Sequence, residues 1–175
     1  VQTRRDRYAT APQLSSTTQR PTHPPMLKGI NPLLSPELLK IMMEMGHDDA
    51  LVLADANFTA MSIASGKPVI RLPGSTMIDV IRAVHSLFPL VADAAHPVAY
   101  MQVSDTEDGY CSELQREVLA ALSPDFGATQ SAQAVERFAF YDRARAAYAI
   151  VLTGERQPFG NFILRKGVIC DNLRP

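Results

Sequence analysis

Short apolar stretches alternate with segments of helical character along most of the chain. Four mainly apolar stretches predict strands at 50–54, 69–72, 98–103 and 148–152. Further segments, two of them with an apolar stripe at helical spacing, predict helices at 36–45, 76–88 and 113–122, and 142–147 as part of one more. Strands that alternate with helices in this way predict an α/β layered domain.

The first predicted helix carries its own start and stop signals. Ser35 supplies a side-chain oxygen that can cap the helix, Pro36 suits its first turn, and Glu37 places a carboxylate near its positive end. Gly46 can adopt the left-handed conformation that closes a helix, which predicts that the helix stops immediately before it. His47 therefore falls just beyond the helix end.

The composition narrows the class of protein. The chain has 175 residues, which predicts one compact domain, and its 17 basic and 18 acidic residues give a net charge of −1. We therefore expect neither a transmembrane span nor nucleic acid as a partner. The two cysteines, Cys111 and Cys170, offer no metal framework and no disulfide scaffold, although one bridge between them stays open. A reducing cytoplasm is the simpler interpretation.

The first 25 residues differ in kind from the rest. They contain four arginines against one aspartate, a Ser-Ser-Thr-Thr run at 15–18, and prolines at 21, 24 and 25, without an apolar period. We interpret 1–25 as a flexible N-terminal extension, because it lacks the continuous apolar core of a secretory signal. Residues 26–170 then form the domain, and 171–175 form a C-terminal tail.

Two polar positions flank the strand predicted at 50–54. Asp55 follows it directly, where the loops at the carboxyl ends of strands converge on ligands. His47 precedes it, near a neighbouring rim, and an ordinary pKa of about 6.5 suits a histidine to proton transfer near neutrality. By frequency alone, His47 is a surface or capping residue and Asp55 a turn residue. The other histidines show no metal-ligand spacing with His47, so no metal is expected.

Ordered sequence blocks extend over about four-fifths of the chain. They are MLKGI (26–30), LSPELL (34–39), EMGH (44–47), ADANF (54–58), ERFAFYDRA (136–144), TGER (153–156) and GNFILRKGV (160–168). In these blocks the chain resembles the RbsD/FucU family of sugar mutarotases and pyranases, and its fucose branch in particular. The resemblance implies a single layered α/β domain with a mainly parallel central sheet flanked by helices.

The resemblance also implies an isomerase that exchanges the α and β anomers of a monosaccharide, L-fucose in this branch, without a cofactor. An acid protonates the ring oxygen while a base removes the anomeric hydroxyl proton, and the open aldehyde recloses from its other face. His47 matches the family's catalytic histidine, which we take as the proton donor, and Tyr141 is our candidate for the second proton carrier. The candidates for sugar binding are Asp55, Arg137, Phe159 and Asn161.

Two departures from the family pattern bear on the choice of sugar. Phe159 stands where the family commonly has tyrosine before Gly-Asn, so a phenolic hydroxyl is absent while the aromatic face remains. The family aspartate expected after Pro-Leu is Val91 here, with Asp93 displaced by two residues. D-Ribose pyranase, and a sugar-binding or assembly module without turnover, therefore stay open as alternatives. The resemblance also implies a homo-oligomer, from a dimer up to a decamer.

Overall fold

The computed structural model describes residues 27–107 and 109–169. Its helices are α1 (Pro36–Glu44), α2 (Ala60–Ala64), α3 (Met77–His85), α4 (Glu113–Leu122), which a 3-10 turn (Ser123–Asp125) extends, and α5 (Arg137–Ala146). Its strands are β1 (Ala50–Ala54), β2 (Val69–Leu72), β3 (Val98–Met101), β4 (Gln133–Val135), β5 (Ala149–Thr153) and β6 (Phe162–Arg165). The predictions for 1–25, 171–175 and Cys170 lie outside the described residues.

One six-stranded sheet organises these elements, in the order β2-β5-β1-β6-β3-β4. Three of its five neighbouring pairs are parallel: β2 with β5, β5 with β1, and β3 with β4. Strand β6 runs against both of its neighbours, β1 and β3. The predicted α/β domain with a mainly parallel sheet flanked by helices is confirmed. The antiparallel β6 lies between the parallel strands β2, β5 and β1 on one side and the parallel pair β3 and β4 on the other.

Side chains of β1 alternate between two apolar layers, because successive residues of a strand point to opposite faces of the sheet. Leu51 and Leu53 belong to the layer covered by α1, α3 and α4. Val52 and Ala54 belong to the layer covered by α2 and α5. All four are buried completely, which explains why this strand is continuously apolar in sequence. None of the described helices is long and apolar enough to cross a membrane.

Helix α1 begins as predicted and ends differently. Ser35 caps its start. At its end, Met45 is extended, with φ −62° and ψ 137°, and Gly46 is not among the residues with positive φ, so the predicted left-handed closure is wrong. Lys166 closes the helix instead, because its Nζ donates to the carbonyl of Met42 at 2.6 Å and to that of Met45.

The sequence patterns do not predict α2, the 3-10 turn, β4 or β6. The first three contain five residues at most, too few for a period to emerge. Strand β6 is a short apolar run, which periodicity alone does not distinguish from a buried helical segment. The segment predicted as part of a helix belongs to α5, which begins at Arg137, because Glu136 accepts hydrogen bonds from the backbone of Phe138 and Ala139 and so caps it. Helix α3 ends at His85, three residues before the predicted end at residue 88.

Candidate functional site

A buried carboxylate–amide pair lies at the carboxyl edge of the sheet, where β1 and β5 end. Asp55 directly follows β1 and Asn161 directly precedes the antiparallel β6, so their backbones meet at this edge. Asn161 Nδ2 donates to Asp55 Oδ2 at 2.9 Å, and the Asp55 backbone N–H donates to Asn161 Oδ1 at 3.0 Å. Each side chain is 3% exposed. The two residues therefore fix each other's orientation inside the protein.

Burial changes the proton affinity of this carboxyl group. It raises the pKa of Asp55 above the ordinary 3.8, against the opposing hydrogen bonds from Asn57 and Asn161. The Asn57 backbone N–H donates to Oδ1 at 2.9 Å, so each carboxylate oxygen accepts one close hydrogen bond from these partners. A carboxylate oxygen accepts more than one such bond, so Asp55 retains capacity for the hydroxyl groups of a ligand.

An aromatic wall stands beside the pair. The rings of Phe58 and Tyr141 meet edge to face with centroids 5.7 Å apart, and those of Tyr141 and Phe138 do so at 6.2 Å. The Arg137 guanidinium carbon lies 4.7 Å from the centroid of the Phe138 ring. Phe138 is 62% exposed, so this part of the wall faces outward rather than packing in the core.

The loop between β5 and β6 completes the site. Phe159 has a φ of 62°, and this left-handed conformation stores roughly 1–3 kcal/mol of strain in a bulky residue. Gly160 packs closely, because a Cβ there would lie 2.9 Å from Leu114 Cδ2 and 3.1 Å from the Gln157 carbonyl oxygen. A cavity of about 140 Å³ forms under this loop. It brings together five of the predicted site residues: Asp55, Arg137, Tyr141, Phe159 and Asn161.

His47 lies at the opposite, amino edge of the sheet. It precedes β1 whereas Asp55 follows that strand, so the two are separated by at least the strand's length, roughly 17 Å at about 3.3 Å per residue. The expectation that His47 lies on a rim neighbouring Asp55 is therefore wrong within one chain. His47 instead lines a cleft of about 760 Å³ together with Asp93, His96 and Arg165.

Charged side chains surround His47 in that cleft. Its Nε2 lies 3.4 Å from Asp93 Oδ1. Nearby, Arg165 Nε donates to Asp48 Oδ1 at 2.6 Å, and this hydrogen bond lowers the pKa of Asp48. Val91, where the family aspartate was expected, is 1% exposed and packs in the interior. The displaced Asp93 is thus the carboxylate that faces the candidate acid.

Sequence analysis did not identify Gln115, a completely buried residue of α4 that contacts the site loop. Its Nε2 donates to the carbonyl oxygens of Met101, at 2.7 Å, and Phe159, at 3.1 Å. Its Oε1 accepts from the Ser112 backbone, which closes a capping box at the start of the helix. The Ser-x-x-Gln spacing before an apolar run is the sequence signal that could have found it.

The chemistry of the carboxyl edge suits a small ligand rich in hydroxyl groups. Asp55 and Asn161 supply acceptors, Arg137 supplies donors, and the Tyr141 phenol can both donate and accept a hydrogen bond. The aromatic rings offer an apolar surface to the carbon skeleton of the ligand. Within 27–107 and 109–169, no group of three or more His, Cys, Asp and Glu side chains is arranged to hold a metal ion.

Known proteins are similar to this chain over most of its length. Residues 28–169 match the RbsD / FucU transport protein family. An L-fucose mutarotase from Actinobacillus pleuropneumoniae is 47% identical over 145 residues, which cover 82% of this chain and 97% of that protein. The crystal structure of the fucose mutarotase from Streptococcus pneumoniae in complex with L-fucose is similar with a TM-score of 0.74 and 34% identity, covering 82% of this chain and 100% of that one. Bacillus subtilis RbsD complexed with D-ribose, at a TM-score of 0.63, 23% identity, and coverage of 78% of this chain and 95% of that one, shares the fold.

Proposed function

This chain belongs to the RbsD / FucU family, and on that premise we propose that it is a sugar mutarotase that exchanges the α and β anomers of L-fucose. The observation that carries the proposal is the buried Asp55–Asn161 pair beside the aromatic wall. Asp55 and Asn161 bind hydroxyl groups of the sugar, with Arg137 as a further donor. The Phe159 ring packs against its apolar face. Relatives that carry the name L-fucose mutarotase support this assignment.

The reaction requires two proton transfers and no net oxidation, because a hemiacetal and its open aldehyde have the same oxidation level. An acid protonates the ring oxygen and a base takes the proton of the anomeric hydroxyl, so the bond between the anomeric carbon and the ring oxygen breaks. The aldehyde rotates, and the reverse transfers close the ring on its other face. His47 is the proton donor in this scheme, and Tyr141 carries the second proton.

The site requires two copies of the chain. A single chain separates its own His47 from its own Asp55 by the length of β1, which is farther than one monosaccharide spans. The carboxyl edge of one copy therefore meets the amino-edge cleft of another, and His47 of that second copy reaches the sugar. We propose a homo-oligomer, between a dimer and a decamer, on this ground.

The remaining parts of the proposal concern the setting of the enzyme. It acts on a monosaccharide without a cofactor, because acid–base groups of the chain suffice for ring opening. We assign it to the cytoplasm, a reducing compartment that keeps thiols reduced; Cys111 forms no disulfide bond within the residues that the structure describes.

Magnetisation exchange between the α and β anomeric proton resonances tests the proposal. We expect the purified protein to accelerate exchange for L-fucose more than for D-ribose or D-galactose, and the same sugars without protein supply the spontaneous rate. Acceleration of pyranose-to-furanose exchange in ribose alone would instead identify a pyranase. Sugar line broadening without faster exchange would identify a binding module, and either result would overturn the proposed function.

A further inference from the structure

The loop that carries Phe159 is held in an unfavourable backbone conformation, and something outside the loop must stabilise it. The φ of Phe159 is 62°, a region that bulky residues rarely adopt. Gly160 N–H donates to the carbonyl of Gln157 at 3.3 Å, a long hydrogen bond within the same turn. The neighbouring side of the loop packs closely on the first turn of α4, where Leu114 Cδ2 would lie 2.9 Å from a Cβ at Gly160.

Gln115, on that same turn of α4, uses both amide hydrogens on backbone carbonyls around this loop. One goes to Phe159 at 3.1 Å and the other to Met101 at 2.7 Å. The Gln115 oxygen accepts from Ser112 N–H at 3.0 Å, which sets the orientation of the amide, because a flipped group would face two carbonyls with its own oxygen. The side chain is completely buried, so water does not replace these bonds.

Two short routes lead from Gln115 to the carboxylate–amide pair. Along the chain, Phe159 is two residues from Asn161. Across the sheet, the Met101 backbone N–H donates to the Asn161 carbonyl at 3.0 Å, and Gln115 holds the carbonyl of the same Met101. Asn161 in turn donates to Asp55. Gln115 therefore acts on both sides of the residue that orients Asp55.

We propose that Gln115 is a positioning residue of the sugar site: it holds the strained Phe159 loop so that Phe159 and Asn161 face the ligand. It does not line the cavity itself. The proposal rests on the proposed function for its kinetic readout, and it deepens that function by adding a residue outside the sequence blocks that carry the family resemblance. Removing the two amide donors should relax the loop and weaken sugar binding.

Gln115→Met tests this, because methionine is similar in size and lacks the donors. We expect KM for the sugar to rise at least about tenfold, since small displacements of binding groups cost that much or more, with a smaller change in kcat. We also expect the side-chain amide resonances of Asn161 to shift in nitrogen-15 spectra. Leu122→Ala is the matched control, because Leu122 is buried at the far end of α4, roughly 10 Å away. It should lower the thermal midpoint and leave KM and the Asn161 resonances unchanged.

A second variant guards against misfolding. Gln115→Glu keeps the acceptor for Ser112 and hence the helix cap, and it should raise KM in the same way. A double-mutant cycle with Phe159→Gly separates positioning from plain stability, because glycine adopts positive φ freely. In that background we expect Gln115→Met to change KM by a smaller factor than in the wild type.

The outcomes are distinct. An unchanged KM and unchanged Asn161 resonances in both Gln115 variants would overturn the proposal, as would an equal factor in the two backgrounds of the cycle. Failure of the proposed function would show first in the wild type, as no acceleration of exchange for any sugar. The Asn161 resonances still decide the role of Gln115 in that case, because they need no turnover.

Discussion

The two edges of the sheet are built in opposite ways although one strand, β1, joins them. At the carboxyl edge, Asp55 and Asn161 are almost completely buried and satisfy each other's hydrogen bonds. At the amino edge, the side chains of His47 and Asp93 are 46% and 74% exposed. A buried, hydrogen-bonded edge is preorganised for binding, whereas the side chains of the exposed edge are open to solvent. The comparison teaches that one chain divides the predicted site residues, because His47 lies at the amino edge and the other five line the cavity at the carboxyl edge.

The edges also differ in electrostatics. Burial raises the pKa of Asp55. The stability that protonated Asp55 contributes to the folded state is therefore present below the ordinary pKa of 3.8 and is lost as pH rises through the raised pKa. The hydrogen bond from Arg165 lowers the pKa of Asp48, so its contribution is present above 3.8 and is lost as pH falls through the lowered pKa. The two edges therefore respond to acid with opposite signs.

The largest effect is expected from removing the acid of the amino edge. His47→Ala should lower anomer exchange by about 10²- to 10⁴-fold, the usual range for general acid catalysis. Its thermal midpoint should stay near that of the wild type, because the side chain is half-exposed. Exchange spectroscopy and thermal unfolding measure the two. His96→Ala, in the same cleft, is a control expected to keep its activity. Normal exchange in His47→Ala would remove this residue from the mechanism.

Oligomers that contain two different variants test whether the amino edge of one copy meets the carboxyl edge of another. Co-expression of His47→Ala with Asp55→Ala, followed by purification through two different tags, should restore activity that neither variant has alone. Random pairing would leave about a quarter of all sites with both native residues. No recovery in verified mixed oligomers would mean that the edges do not meet between copies of the chain.

The pH dependence of the carboxyl edge is the next largest effect. A protonated Asp55 accepts fewer hydrogen bonds from hydroxyl groups, so kcat/KM should fall about tenfold per pH unit below the folded pKa of this residue. Because burial raises that pKa, the midpoint should lie above 3.8. Asp55→Asn should abolish the acidic limb. A limb that persists unchanged in this variant would assign it to another group.

A smaller effect is expected at Phe159. Phe159→Tyr restores a phenolic hydroxyl at the site, and one additional hydrogen bond to the sugar corresponds to about a fivefold gain in affinity for L-fucose. Competition between L-fucose and D-ribose in the exchange assay measures the shift in preference. Phe138→Tyr is a suitable control, because Phe138 is an exposed member of the aromatic wall. Unchanged fucose turnover in Phe159→Tyr would count against a missing hydroxyl as the determinant of specificity.

The smallest effect is expected from the ion pair of the amino edge. Asp48→Asn should lower the free energy of unfolding by less than about 1 kcal/mol at pH 7, because exposed pairs contribute little, and asparagine tolerates the φ of 67° found there. Urea denaturation measures the difference, which should shrink in high salt and as pH falls through the lowered pKa of Asp48. A loss of several kcal/mol in the free energy of unfolding would show that the Asp48–Arg165 ion pair stabilises the fold more than an exposed pair does.

Much of the fold follows from local patterns, and each element that these patterns missed has a physical reason. The apolar run of β1 and the Ser35 cap of α1 are visible in sequence because a few adjacent residues encode them. The end of α1 is not visible in the sequence, because Lys166, far along the chain, closes the helix. Strand β4 is missed because three residues carry no period.

The sequence by itself determined the α/β class, the family and the identity of the candidate site residues, because apolar spacing, caps and ordered blocks are properties of neighbouring positions. Only the tertiary structure decided that Asp55 meets Asn161, 106 positions away, and that Gln115 holds the Phe159 loop. The tertiary structure also decided that His47 lies at the opposite edge of the sheet from Asp55. Strand order and direction set these relations, and they depend on how distant segments pack together, which no local pattern encodes.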